Sequence, residues 1–146
     1  MFSMLQSMPA ARAKISGSLA YPNVTGEVLF YEVYGGTLVV ASIKNLPGEN
    51  GFHGFHIHDG SSCKPMSEGG HYNPDNQMHP QHVGDMPPLL ANDGMAFSAF
   101  YTKRFYPEDV VGKVVVIHVN PDDFTSQPSG NPGSIIACGE IENKGK

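Results

Sequence analysis

Short apolar runs, separated by turn residues at close intervals, are the feature that most limits how this chain can fold. Gly occurs 17 times and Pro 12 times among 146 residues. The runs are rich in Val, Ile, Leu, Phe and Tyr, and no helix of ordinary length is supported. The candidate strands are Ala13 to Tyr21, Gly26 to Val33, Thr37 to Lys44, His53 to His58, Met95 to Tyr101, Lys113 to His118 and Ile135 to Ile141. This pattern predicts an all-β, antiparallel sandwich or barrel.

Two long intervals without an apolar period interrupt the candidate strands. The first runs from Asp59 to about Ala91 and is dense in Gly, Pro, Asn and His. Loops longer than about 12–15 residues are usually functional or disordered, and the His content favours a functional loop that a metal orders. The second, Asn120 to Gly133, is rich in Pro, Gly and Asp. Between them, Pro107 to Val111 predicts a turn or a single helical turn.

Composition favours one globular domain spanning residues 1–146. Apolar residues make up 40% of the chain and charged residues 16%, which is enough to form one core. The formal net charge is −5 and there is no basic stripe, so nucleic acid is not an expected partner. No run approaches the roughly 18 apolar residues that a membrane span needs. Met1 to Ala13 lacks the pattern of a secretory signal, which favours the cytoplasm, whereas a signal already removed would mean the periplasm or secretion.

Histidines at the spacing of metal ligands indicate what the first long interval does. His56 and His58 lie on one face of a candidate strand, roughly 6.6 Å apart, which suits two ligands of one metal. His118 ends another candidate strand and could supply a third ligand from a neighbouring position. Imidazole ligands with an open coordination position suit copper. A lone His on a strand is more often a core or surface residue, and His53, which faces away from His56, is assigned a supporting role.

The remaining candidate ligands all fall in one stretch of fifteen residues inside the first long interval. They are His71, His79, His82 and Asp85. Three imidazoles and one carboxylate suit zinc in a closed tetrahedral site. If His71 used both ring nitrogens, one for each metal, both sites would be complete. The two cysteines, Cys63 and Cys138, lie far apart; they are a natural pair in an oxidising compartment and more often free thiols in a reducing one.

Five segments of the chain, in this order, resemble the copper/zinc superoxide dismutases. They are Gly54-Phe55-His56-Ile57-His58, Gly70-His71-Tyr72-Asn73-Pro74, His82-Val83-Gly84-Asp85, Val116-Ile117-His118, and Gly133-Ser134 followed by Ala137-Cys138-Gly139. The resemblance runs from about residue 13 to residue 141. It implies an eight-stranded antiparallel Greek-key barrel with two long functional loops.

The resemblance also implies the roles of individual residues. Copper would be bound by His56, His58, His71 and His118. Zinc would be bound by His71, His79, His82 and Asp85, with His71 bridging the two metals. Asp122 matches the carboxylate that hydrogen-bonds one histidine ligand of each metal, which fixes the orientation of those rings. A disulfide between Cys63 and Cys138 would anchor the metal loop to the last strand.

The reaction implied is the dismutation of superoxide to oxygen and hydrogen peroxide, with His71 as the catalytic proton carrier. Two departures from the family keep an alternative open, namely a non-catalytic copper/zinc-binding protein on the same scaffold. Ile135 stands where the family carries an arginine near the copper, and the segment from Val119 to Ser134 contains no Lys or Arg. A third possibility, a purely structural domain, does not account for the complete ligand set. Members usually pair, so a homodimer is one expectation, although no apolar stripe in the sequence identifies its surface.

Overall fold

A curled antiparallel sheet of seven strands forms most of the molecule. The computed structural model describes residues 8–144; the segment used above to look for a secretory signal lies partly outside them. The strands are β1 (Ala11–Gly17), β2 (Thr25–Val33), β3 (Gly36–Lys44), β4 (Gly51–His53), β5 (Phe55–His58), β6 (Leu89–Ala91), β7 (Ala96–Thr102), β8 (Val114–His118) and β9 (Ile135–Asn143). The large sheet has the order β5-β8-β9-β1-β2-β3-β7, and β4 pairs with β6 in a second, two-stranded sheet. One helical turn, α1 (Pro107–Val110), precedes β8.

Alternation along the strands explains why the sheet curls around one core. In β1, Ala11, Ala13 and Ile15 are buried, whereas Lys14 and Ser16 are exposed. The same period of two recurs in β2 and β3, as expected for strands with one buried and one solvated face. β8 differs, because all five of its residues are buried. Its outer face is covered by a small apolar cluster in which Val114 and Val116 pack with both cysteines and Ile135.

The predicted strand from His53 to His58 is wrong in one respect, since it divides into β4 and β5 at Gly54. Gly54 leaves the ladder because its N–H donates to the Asn120 carbonyl and its own carbonyl accepts from the His118 N–H, both at 2.9 Å. A Cβ at this position would lie 2.8 Å from Cβ of Pro132. Glycine therefore allows the strand to approach the second long interval, Asn120 to Gly133, which we call the second loop. This contact lies two residues before the candidate ligand His56.

The other differences concern lengths. β6 was not predicted, because three residues carry too little periodicity to identify a strand. β1 was predicted to reach Tyr21 but ends at Gly17, since the Tyr21 N–H donates to the Ser18 carbonyl and closes a turn. The remaining strands differ from prediction by one or two residues at an end. The single helical turn at Pro107 is confirmed, and no helix within residues 8–144 is both long and apolar enough to cross a membrane.

The first long interval, Asp59 to about Ala91, follows β5 and lies against the edge of β5 that no other strand within residues 8–144 pairs with. We call this interval the metal loop. The Ile57 N–H donates to the Gly84 carbonyl, and the Ile57 carbonyl accepts from the Tyr72 N–H, both at 2.8 Å. Isolated bridges join His58 to His71 and His56 to Asp85. Residues far along the loop are thereby placed beside the His-rich strand.

A disulfide between Cys63 and Cys138 joins the same loop to β9. It is the pairing implied by the family resemblance. Cys138 lies opposite Val116 of β8, so the bond fastens the loop over the outer face of the sheet. The metal loop is therefore attached to the barrel covalently on one side and through backbone hydrogen bonds on the other.

Removal of this bond is expected to destabilise the protein. For a sequence separation of 75 residues, the loss of loop-closure entropy in the unfolded chain corresponds to up to about 4.5 kcal/mol. The double variant Cys63→Ser/Cys138→Ser should therefore show a lower free energy of unfolding than the oxidised wild type in a urea titration. Thiol titration of denatured, unreduced wild-type protein should find no free thiols, and two per chain would contradict the disulfide.

Candidate metal centre

The fold gathers every predicted ligand into one buried region. β5 contributes His56 and His58, whose ring centroids lie 6.2 Å apart. His118 ends β8 at an irregularity in its pairing with β9, and its ring centroid lies 5.3 Å from that of His56. Nitrogen atoms of these three residues lie within 4.8 Å of one another. A second group with the same spacing joins His56 to three of the loop residues, His71, His79 and Asp85.

The loop ligands surround a space of the size that a tetrahedral zinc ion occupies. The Asp85 carboxylate lies 2.8 Å from Nδ1 of His71, 3.2 Å from Nδ1 of His79 and 3.1 Å from Nδ1 of His82. Nδ1 of His71 lies 3.2 Å from Nδ1 of His82. Ligand atoms about 2.0 Å from a tetrahedral zinc lie about 3.3 Å from one another. The four distances match this ligand spacing, with Oδ1 of Asp85 facing His71 and Oδ2 facing His79 and His82.

Asp122 determines which ring nitrogen two of the histidines present. Its two carboxylate oxygens accept from Nε2–H of His56 at 2.7 Å and from Nε2–H of His79 at 2.8 Å. An imidazole that donates from Nε2 keeps its lone pair on Nδ1. The Nδ1 atoms of His56 and His79 are both buried without a hydrogen-bond partner. Asp122 therefore points one free nitrogen toward each ligand group.

His58 and His71 also present unpaired nitrogens. Nδ1–H of His58 donates to the Gly69 carbonyl at 2.8 Å, which leaves a lone pair on its buried Nε2. His71 directs Nδ1 to Asp85, whereas its Nε2 is buried without a partner. Buried polar atoms are nearly always hydrogen-bonded, so this concentration of unpaired nitrogens needs a specific explanation. A coordinated metal ion provides one.

Burial keeps His56, His58 and His118 neutral. We call these three the copper-type group, and the loop residues around Asp85 (His71, His79, His82 and Asp85) the zinc-type group. Burial, followed by the neighbouring His71 and His118, lowers the pKa of His56 to about 2. Burial likewise lowers the pKa of His118 to about 3 and that of His58 to about 4. Burial alone would raise the pKa of Asp85, but the histidines around it outweigh that effect and lower it. At neutral pH His56, His58 and His118 are therefore neutral and Asp85 is ionised, the forms in which these side chains bind metals.

Several supporting residues were not identified from the sequence. Gly130 has φ +80°, and a Cβ there would lie 2.0 Å from Oδ1 of Asp122 and 2.6 Å from Nε2 of His79. Only glycine fits this conformation and this space. Arg104 and Gln127 donate to carbonyl groups of the segment that carries His79 and His82. No local pattern marks these three positions, because each acts on residues distant in sequence.

His53 lies outside both ligand groups, as predicted. It is buried and its Nδ1 hydrogen-bonds to the His118 carbonyl at 2.9 Å. Ile135, where the family resemblance led us to look for an arginine, is the direct cross-strand partner of His118. It is partly exposed and packs toward the disulfide. An apolar side chain therefore stands beside one of the copper-type ligands.

Comparison with known proteins agrees with the geometry of this centre. The sequence model of the family described as copper/zinc superoxide dismutase (SODC) matches residues 24–141. The chain belongs to this family. It is 36% identical over 141 residues to superoxide dismutase [Cu-Zn] 2 of Aquifex aeolicus, with 82% of each chain covered. It is 34% identical to superoxide dismutase [Cu-Zn] of Legionella pneumophila, covering 83% of this chain and 80% of that protein.

A solved structure supports the same relationship. The Cu/Zn superoxide dismutase from Brucella abortus superposes with a TM-score of 0.77 at 29% sequence identity. The match covers 90% of this chain and 99% of that one. The curled sheet is therefore the barrel of the copper/zinc superoxide dismutases, and the predicted fold class is confirmed.

The lowered histidine pKa values predict that the metal-free protein loses stability as the pH falls. In the unfolded chain these histidines bind protons near pH 6.5, whereas in the folded chain they do so only at about pH 4 or below. Above pH 6.5 the histidines are neutral in both states, and the free energy of unfolding is at its highest. Below pH 6.5 the unfolded chain binds protons that the folded chain does not, so the free energy of unfolding decreases progressively. Urea unfolding of metal-free protein at pH 7.5, 6 and 5 measures this loss. His56→Gln should reduce it, and equal stability at all three pH values would contradict the prediction.

Proposed function

We propose that this protein is a superoxide dismutase that converts superoxide to oxygen and hydrogen peroxide. The observation that carries the proposal is His71, which directs Nδ1 into the zinc-type group and leaves Nε2 buried without a partner. A histidine with two usable nitrogens between two ligand groups suits a shared metal centre. The two dismutase relatives named above and the complete ligand set support this function.

Each ligand group is assigned one metal in this proposal. Copper would be held by His56, His58, His71 and His118. Zinc would be held by His71, His79, His82 and Asp85. When bound, copper supplies one-electron redox chemistry, taking an electron from one superoxide and giving it to the next.

The protein's own contribution is geometry and a proton. His71 can hold a proton at Nε2 and release it to the developing peroxide, since no hydrogen bond occupies that atom. Its Nδ1, 2.8 Å from Asp85 in the zinc-type group, keeps the ring in one orientation while Nε2 changes its protonation. His71 is therefore the proposed catalytic residue. Asp122 contributes by fixing the rings of His56 and His79.

The alternative of a non-catalytic metal-binding protein is not favoured. It was kept open by Ile135 and by the absence of cations in the second loop, and both features affect the approach of an anion more than ligation. A dismutase assay tests the proposal directly. Protein loaded with copper and zinc should remove superoxide catalytically, and protein loaded with zinc alone should not. Full metal occupancy without activity would favour the alternative.

Metal content tests the bridging role of His71. His71→Ala should lower both copper and zinc, because both groups lose a ligand, whereas His79→Ala should mainly lower zinc. His53→Gln is a matched control, since it alters a buried histidine outside both groups, and because glutamine can still donate to the His118 carbonyl, it should retain both metals. Elemental analysis after loading and dialysis measures the result. Full occupancy of both metals in His71→Ala would exclude the bridge.

The surroundings of Ile135 predict an unusual salt dependence of the rate. Superoxide is an anion, and positive charge lining a cleft can raise association rates by about 10–10³-fold. Here Ile135 faces His118 across the strand pair, the segment 119–134 has no Lys or Arg, and the net charge is −5. We expect a rate below that of members with the arginine, and a kcat/KM that stays flat or rises as salt is added.

Ile135→Arg should raise kcat/KM and make it fall with ionic strength. Ile135→Gln is the control, because it adds a polar side chain without charge and should leave the salt dependence as in the wild type. Pulse radiolysis at several ionic strengths provides the measurement. If the wild-type rate is near the diffusion limit and drops steeply with salt, another cation guides the anion and the prediction is wrong.

A further inference from the structure

The zinc-type ligands His79 and His82 lie in a short turn outside the strands. The Gln81 N–H donates to the Met78 carbonyl at 2.7 Å, which closes the turn. Only Pro80 and Gln81 separate the two ligands. A turn without a strand ladder needs other contacts to hold its side chains at ligand distance. We call residues 79–82 the ligand turn.

Arg104 binds the ligand turn from the β7 side. Its Nη1 donates to the Pro80 carbonyl at 3.0 Å and to the His82 carbonyl at 2.8 Å. The guanidinium is always charged, so both are charge-assisted hydrogen bonds. One nitrogen thus draws together two carbonyl groups of the turn. Arg104 therefore bridges the backbone of Pro80, which follows His79, to that of His82.

The position of Arg104 is fixed by its neighbours in the chain. Its N–H donates to Oγ1 of Thr102, the last residue of β7. The next residue, Phe105, is buried with its ring centroid 6.2 Å from that of Phe30. The Phe105 carbonyl accepts from the buried hydroxyl of Thr37 at 2.7 Å. The exposed arginine therefore projects from a segment anchored in the core.

Gln127, in the second loop, binds the ligand turn from the other side. Its Oε1 accepts from the His79 N–H at 2.9 Å, and its Nε2 donates to the His79 carbonyl at 2.8 Å. Nε2 also donates to the Thr125 carbonyl at 3.1 Å, which holds the amide to its own loop. Both peptide groups that flank His79 are thereby fixed by one side chain.

We propose that Arg104 and Gln127 are positioning residues that clamp the ligand turn and slow the release of zinc. The proposal rests on the proposed function, because it assigns zinc to this group. The clamp acts on the backbone of the turn, whereas Asp122 acts on the ring of His79. With the backbone held on both sides, Nδ1 of His79 and of His82 stay 3.2 Å and 3.1 Å from the Asp85 carboxylate.

Zinc release to a chromophoric chelator from the copper- and zinc-loaded protein measures the clamp. Arg104→Met keeps the aliphatic length but removes both hydrogen bonds. Losing a partner that orients metal ligands typically costs about 10- to 100-fold in affinity, and we expect zinc release to become faster by a similar factor. Lys103→Met is the matched control. It removes the same charge one residue away, from an exposed side chain with no hydrogen bond or ion pair among residues 8–144. Its zinc release should equal that of the wild type.

Two conservative variants separate positioning from a general loss of stability. Arg104→Lys retains the charge and one donor group, so its release rate should lie between those of the wild type and Arg104→Met. Gln127→Glu keeps the shape but places a carboxylate oxygen against the His79 carbonyl, and it should also accelerate release. Cobalt substituted at the zinc site should give altered visible absorption bands in Gln127→Glu and Arg104→Met. Copper content should stay at the wild-type level in all of them.

The outcomes distinguish the clamp from the proposed function. Unchanged release in both Arg104→Met and Gln127→Glu, or equal acceleration in Lys103→Met, would overturn the clamp while leaving the zinc assignment intact. Copper lost in parallel with zinc would mean general destabilisation and would also overturn it. A wild-type protein that takes up no zinc would overturn the clamp and the proposed function together.

Discussion

The carboxylate of Asp122 is the contact through which the two ligand groups are made into one centre. One oxygen accepts from His56 on β5, and the other accepts from His79 in the ligand turn. The second loop that carries Asp122 is thereby joined both to the barrel and to the metal loop. Gly130 makes this possible, because any side chain there would occupy the position of the carboxylate. The tautomers of both rings, and hence the direction of their lone pairs, follow from this one group.

Bringing these side chains together without a metal lowers the stability of the folded protein. Several imidazole nitrogens are buried without hydrogen bonds. Each such atom disfavours the folded state by roughly 1–3 kcal/mol when no metal is present. The extensive core and the Cys63–Cys138 bond offset that cost. The centre is therefore held in a ligand-ready arrangement by parts of the protein that do not touch a metal.

The strands and the candidate ligand histidines were accessible to sequence analysis because their signals are local. Alternation identified most strands, and the spacing of His56 and His58 placed both on one face. Gly54 broke the predicted strand through a contact with the second loop, which a local pattern does not contain. Arg104 and Gln127 were missed for a related reason. Arg104 acts on Pro80 across 24 residues, and Gln127 acts on His79 across 48.

The covering of β5 by the metal loop has a consequence for how the protein behaves toward other copies of itself. β5 is the last strand at one end of the large sheet, and such a strand ordinarily offers unpaired backbone groups to a neighbouring chain. Here Gly84 and Tyr72 take up the N–H and carbonyl of Ile57. The loop thus acts as a substitute strand. Because these two backbone groups of Ile57 are already paired, they are not open to a strand of a second copy.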